Sequence, residues 1–178
     1  HLTDKRFSKT LQDVVSLAWE YGLEQVLSVA VNFNDSRNCI KLRDLDSRIL
    51  ATVGLHPHEA GTVELMEIEH EILDLYGQTI AIGEIGLDFY YDFSDRDTQM
   101  KVLIRQLELA KKLRMPVVIH CRDAFEELLD LLKDKDFLQL SGVVHCFTGS
   151  REHLKQILDL GYFVSTGGML TFPKLQDI

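Results

Sequence analysis

Four residues in this chain could together do metal chemistry: His56, Glu84, His120 and His145. Each stands at or just beyond the end of a short apolar run, and Glu84 sits in Gly83-Glu84-Ile85-Gly86, between two glycines. A carboxylate buried at the end of an apolar strand is costly unless something positive holds it. Glycines on both sides let other groups approach its backbone closely. Three imidazoles converging on one carboxylate suit Zn²⁺, Mn²⁺ or a similar divalent ion. The chain has only seven histidines in 178 residues, so finding one at each of three strand ends is not a chance expectation. One carboxylate among several histidines further suggests a two-metal hydrolytic site with Glu84 bridging the ions. Such a pair lowers the pKa of water from 15.7 towards about 7 and stabilises both attacking and leaving oxygens of a phosphoester. No Ser-His-Asp set or nucleophile elbow competes for the role.

The elements that must position these residues alternate throughout. Residues 8–22 carry a helical stripe (Leu11, Val14, Val15, Ala18, Tyr21), followed by an apolar β-branched run from Val26 to Val31. A weaker helical segment spans Asp35 to Leu45, and Ile49 to Val53 reads as a strand leading to Gly54-Leu55-His56-Pro57-His58. Leu65, Ile68, Ile72, Leu75 and Tyr76 mark the next helix, then a strand runs from Thr79 to Gly83. Ser94 reads as the N-cap of the longest helix, with Asp97 three residues on and Met100, Leu103, Ile104, Leu107 and Ala110 on one face. Val117 to Ile119 ends on His120, Gly142 to Val144 ends on His145, and Tyr162 to Ser165 is the last strand, each of the first two followed by a helix. Strands alternating with helices form a parallel sheet covered by helices. With no Gly-x-Gly-x-x-Gly turn after the first strand, the dinucleotide fold loses its main sign. We therefore expect an α/β (β/α)₈ TIM barrel, of which six to seven strands are present. A barrel needs eight strands and usually about 250 residues, so one strand is expected before His1 and one after Ile178. In a barrel the strand ends share one mouth, where active sites lie.

Composition bounds the rest. The chain is 46% hydrophobic and 26% charged, with three prolines and no low-complexity run, as for a single globular domain over 1–178. The net charge of −9 argues against a general nucleic-acid coat protein but not against an enzyme whose bound cations face a phosphate. No signal peptide or apolar membrane span is visible. Three cysteines (Cys39, Cys121, Cys146) do not make a disulfide framework and fit a reducing setting. A cytoplasmic location is expected, or a nuclear one in a eukaryotic cell. Cys121 and Cys146 each follow a histidine, but strand alternation points them away from it. His58 is expected to lie one step further out, towards solvent, and His70 and His153 on helix surfaces. Asp88 and Arg122 lie just past strand ends. Each could serve the substrate or orient a ligand, a helix cap or surface ion pair being the alternative. Lys111, Lys112 and Arg114 read as a solvated helix end, where cations suit the dipole.

Several separated motifs, in order, carry a resemblance. Gly54-x-His56-Pro57, Gly83-Glu84-x-Gly86-Leu87-Asp88, Pro116-Val117-Val118-Ile119-His120-x-Arg122-Asp123-Ala124 and His145-Cys146-Phe147-Thr148-Gly149 resemble the TatD family of metal-dependent deoxyribonucleases in the amidohydrolase superfamily. The resemblance covers nearly the whole chain. It implies a TIM barrel, two divalent metals (Zn, Mg or Mn) and hydrolysis of DNA phosphodiesters, often as an exonuclease, with no membrane and no obligate protein partner. It implies that Glu84, His120 and His145 are metal ligands. His1-Leu2 is similar to the second half of the family's His-x-His-Leu motif, which implies that His1 is a further ligand, and His56 becomes a site residue beside the metals. The first histidine of that motif and the family's Thr-Asp-x-Pro segment are not found in these 178 residues, so a truncated chain of reduced activity is expected. Two alternatives stay open: another amidohydrolase-type hydrolase acting on a phosphotriester, amide or lactone, and an inactive form serving as an interaction protein.

Overall fold

The computed structural model describes residues 1–91 and 93–171. Six strands form one sheet in sequence order: β1 (Val26–Ser28), β2 (Ile49–Val53), β3 (Ala81–Asp88), β4 (Val117–Arg122), β5 (Gly142–His145) and β6 (Phe163–Val164). Every neighbouring pair is parallel. The sheet is a curled half-barrel of α/β type, and the helices α1 (Leu11–Glu20), α2 (Phe33–Lys41), α3 (Leu65–Leu75), α4 (Arg96–Leu113), α5 (Phe125–Leu132) and α6 (Arg151–Asp159) alternate with its strands. None of the described helices is long and apolar enough to cross a membrane.

Strand alternation divides the side chains between two faces. On the helix-covered face, Val53, Ile82, Ile85, Leu87, Val117, Ile119 and Val144 pack against Ile68 and Ile72 of α3, Leu103 and Leu107 of α4, and Leu128 of α5. Burying each such side chain contributes about 1.5–3 kcal/mol, so this layer holds the sheet in shape. The other face carries a smaller cluster of Val29, Ala81 and Val118, with Leu27 and Val143 against it. His120 and His145 lie two residues beyond Val118 and Val143, so they project from this same face at the C-terminal edge. Cys121, as alternation requires, lies in the helix-side core.

Two strands run further than the apolar pattern suggested. β3 continues through Glu84 to Asp88, and β4 continues through His120 to Arg122, because their ladder pairs Gly86 with His120 and Asp88 with Arg122. Conversely, β1 stops at Ser28, since the Ala30 N–H turns to the Thr52 hydroxyl and the Ala30 carbonyl accepts from the Glu84 N–H at 2.8 Å. The cap of α4 is Asp95, not Ser94: its carboxylate accepts from the Thr98 N–H at 2.9 Å. Ser94 instead ties the preceding loop to the His58 segment through the Gly61 N–H and the His58 carbonyl. Ser150 caps α6, in a box completed by His153.

Candidate metal centre

Glu84 owes its direction to a bulge. The β3–β4 register shifts between Gly83 and Ile85, leaving Glu84 as the extra residue. Unbroken alternation from Ile82 would turn Glu84 to the helix-covered face, and the bulge frees it to face the histidines. The two glycines are required here. A Cβ on Gly83 would lie 2.5 Å from that of Val118, and one on Gly86, whose φ is +147°, would lie 1.9 Å from the His120 carbonyl oxygen. The close approach of β3 and β4 brings His120 beside Glu84.

The buried Glu84 carboxylate divides its two oxygens. Oε1 lies 3.0 Å from Nδ1 of His145 and 3.5 Å from Nδ1 of His120, while Oε2 lies 3.3 Å from Nε2 of His1. His1 is oriented by its other nitrogen, Nδ1, which donates to the Val29 carbonyl at 2.7 Å. His120 is oriented in the same manner: its Nε2 donates to Oδ2 of the buried Asp88 at 2.9 Å. Asp88 Oδ2 also meets Nε2 of His58 at 2.9 Å. His56 follows β2 and caps the 3₁₀ turn Pro57–Thr62. Its Nδ1 accepts the His58 N–H at 3.2 Å, and its ring lies 4.4 Å from that of His120. Three sets of ligand atoms result, each with its members within 4.8 Å of one another: His1, Glu84 and His145; His56, Glu84 and His120; His58, Asp88 and His120.

The electrostatics follow from these contacts. Burial works to raise the Glu84 pKa, but hydrogen bonds from His1, His120 and His145 outweigh it and hold the carboxyl well below its ordinary range. Its hydrogen bond to Glu84 raises His1 above the usual imidazole value. Burial opposes the charging of His120, yet Glu84 and Asp88 together raise it as well. His56 differs: burial, aided by the neighbouring His120, pushes it down to about 3, so it is neutral at pH 7. A neutral imidazole whose Nδ1 accepts a hydrogen bond carries its proton on Nε2.

Two glutamines of α4 fix the backbone on either side. Gln106 Oε1 accepts from the Leu55 N–H at 2.8 Å and its amide donates to the Leu55 carbonyl at 3.1 Å, steadying the residue before His56. Gln99 does the same for Asp88, at 2.8 and 3.0 Å. Both are essentially fully buried. Neither was singled out in the sequence, although two polar residues seven apart on the apolar face of a helix are a readable signal of a buried clamp.

The expected site residues therefore separate. His1, His56, Glu84, His120 and His145 come together, with Asp88 directly behind His120. His58, expected towards solvent, is half-buried and bonded to Asp88; the 3₁₀ turn begun by Pro57 folds it back. The Arg122 guanidinium stands aside from the carboxylates and lies over the Tyr90 ring at 3.8 Å. The nitrogen and oxygen donors gathered around a buried carboxylate are those that divalent transition metals prefer, and the residues present fit a metal-dependent hydrolase.

Comparison with known proteins agrees with this chemistry. The family model described as "TatD related DNase" matches residues 1–178. The chain is 35% identical over 170 residues to the 3'-5' ssDNA/RNA exonuclease TatD of Shigella flexneri, covering 94% of this chain and 65% of that protein. It is 30% identical over 175 residues to the uncharacterized metal-dependent hydrolase YabD of Bacillus subtilis, covering 97% and 68%. Among solved structures, the TatD homologue YjjV of Escherichia coli superposes with a TM-score of 0.86 at 28% identity, covering 98% of this chain and 68% of that one. The chain thus spans a little under two thirds of the length of the exonuclease relative.

Proposed function

Since the chain belongs to the TatD-related DNase family, we propose that its histidine–carboxylate cluster is the centre of a metal-dependent deoxyribonuclease, acting on DNA phosphodiesters as an exonuclease. Residues 1–178 then belong to one hydrolase domain. The three free cysteines suit a reducing compartment, and we assign the enzyme to the cytoplasm.

In this reading two divalent ions, Zn²⁺, Mn²⁺ or Mg²⁺, would be held at Glu84. His1, Glu84 and His145 would hold one, and Glu84 with His120 the other. When bound, such a pair supplies an acidified water and positive charge for the oxygens of an in-line displacement. The protein's own groups do the rest. Asp88 accepts the Nε2 proton of His120, fixing the tautomer that leaves Nδ1 free for a metal, an arrangement that tunes ligand basicity. His56, neutral and with its proton on Nε2, donates a hydrogen bond to a phosphate oxygen beside the cluster and does not act as a proton source at neutral pH. Arg122, at the same edge of the sheet, offers a fixed positive charge to the substrate strand.

The observation that most supports this reading is the division of Glu84, whose two carboxylate oxygens face different histidines. The test is cleavage of a labelled DNA strand with Mn²⁺ or Mg²⁺, with and without chelator, by the wild type and Glu84→Gln. Cleavage abolished by chelator and reduced at least about 100-fold in Glu84→Gln is expected. Chelator-insensitive cleavage, or wild-type rates in the variant, contradicts it.

A further inference from the structure

Beside the metal cluster, the loop after β3 exposes three aromatic rings within four residues. Tyr90 is 57% exposed, Tyr91 41% and Phe93 66%. Leaving this much apolar surface in water next to a catalytic centre calls for an occupant. The rings are set in a fixed arrangement. Tyr90 and Tyr91 meet edge to face at 4.8 Å, and Tyr91 and Phe93 lie roughly parallel at 5.6 Å. Both ends of the loop are tied down: the Tyr90 and Tyr91 N–H groups donate to Asp88 Oδ1 at 3.1 and 3.0 Å, and Ser94 bonds the Gly61 N–H and the His58 carbonyl. Arg122 covers one face of Tyr90, and its guanidinium also lies 4.9 Å from the Tyr91 ring.

The patch is continuous with the site. The His58 ring touches Tyr91 at 5.4 Å and Phe93 at 4.8 Å, and it leads through His56 to His120 at ring separations of 4.5 and 4.4 Å. We infer that Tyr90, Tyr91 and Phe93, with Arg122, form a stacking platform for an unpaired base of a single nucleic-acid strand whose phosphate lies at the metal cluster. This rests on the nuclease reading above and adds to it the element that selects an unpaired strand.

Three observations favour this occupant. Rings present a π-face that any base can stack on. In a duplex those base faces are already stacked on their neighbours, so an exposed platform discriminates for a single strand. Arg122 supplies a cation for the adjoining backbone on a molecule of net charge −9, where a broad electrostatic surface for DNA is not available. Stacking provides attraction that this negative charge does not cancel.

The test compares wild type, Tyr90→Ala/Phe93→Ala and Tyr90→Phe by fluorescence anisotropy with a 5'-labelled single strand in chelator. The same strand carrying abasic residues, and a blunt duplex, are the controls. We expect the wild type to bind the base-bearing strand more tightly than the abasic strand or the duplex. The double variant should lose about 5- to 100-fold on the base-bearing strand only, and Tyr90→Phe should bind as the wild type does. Equal affinity of the wild type for base-bearing and abasic strands, equal losses on both in the double variant, or no binding at all overturns the platform. Chelator-sensitive cleavage measured separately on the abasic strand reads the nuclease proposal independently, so the two can fail apart.

Discussion

Asp88 carries more of the site's organisation than any residue save Glu84. One oxygen receives the imidazole protons of His58 and His120, and the other receives the amides of Tyr90 and Tyr91. Asp88→Asn keeps an acceptor for the loop but removes the charge that holds His120. We predict metal affinity lowered about 10- to 100-fold with an unchanged thermal midpoint in chelator within a few degrees, checked by isothermal titration with Mn²⁺. Protonation gives a second prediction at this scale. His1 and His120 are raised above their ordinary 6.5 in the metal-free protein, and both must lose protons to become ligands. Metal binding at pH 7 should therefore release protons, seen as a dependence of titration heats on the buffer's ionisation enthalpy, and no dependence would contradict it. Stability has its own signs. The raised pair contributes stability present below pH 6.5 and lost as the pH rises through their folded values, whereas His56, depressed to about 3, contributes stability present above 6.5 and lost as the pH falls towards 3. A chelated sample should have its highest midpoint near pH 6.5 and decline on both sides.

At the scale of elements, the site depends on how closely β3 approaches β4 and on what α4 holds. Gly86→Ala forces a Cβ to within 1.9 Å of the His120 carbonyl at a φ that disfavours any side chain. A destabilisation of about 3 kcal/mol, with loss of metal binding, is the expected outcome in urea unfolding. The α4 clamps are a second lever. Gln106→Ala leaves the Leu55 N–H and carbonyl buried without partners, which costs about 2–4 kcal/mol and releases the segment leading to His56. Gln106→Glu, which sets an unpaired charge against the Leu55 carbonyl at a fully buried position, should lose at least as much. Equal unfolding midpoints for wild type and Gln106→Ala would show that the clamp contributes nothing.

For the molecule as a whole, the alternation of strands and helices was legible in the sequence because short apolar runs and stripes of period 3.6 follow one another along the chain. Six strands in sequence order follow from that pattern. The convergence of His56, His120 and His145 on Glu84 was legible too, since parallel strands put their C-terminal ends on one side. What could not be read has a physical reason in each case. The bulge at Glu84 is a property of the β3–β4 pairing and leaves no mark on the alternation of one strand. His58 looked external because its partner, Asp88, is thirty residues away and the Pro57 turn reverses its direction. The aromatic loop at Tyr90, Tyr91 and Phe93 has no periodicity, and only the fold sets it beside the metal cluster. The central proposal is that Glu84 would hold two divalent ions. It is tested most directly by anomalous diffraction from crystals grown with Mn²⁺: we predict two peaks about 3.5–4 Å apart, one against each oxygen of Glu84. A single peak, or ions bound away from Glu84, would contradict the account.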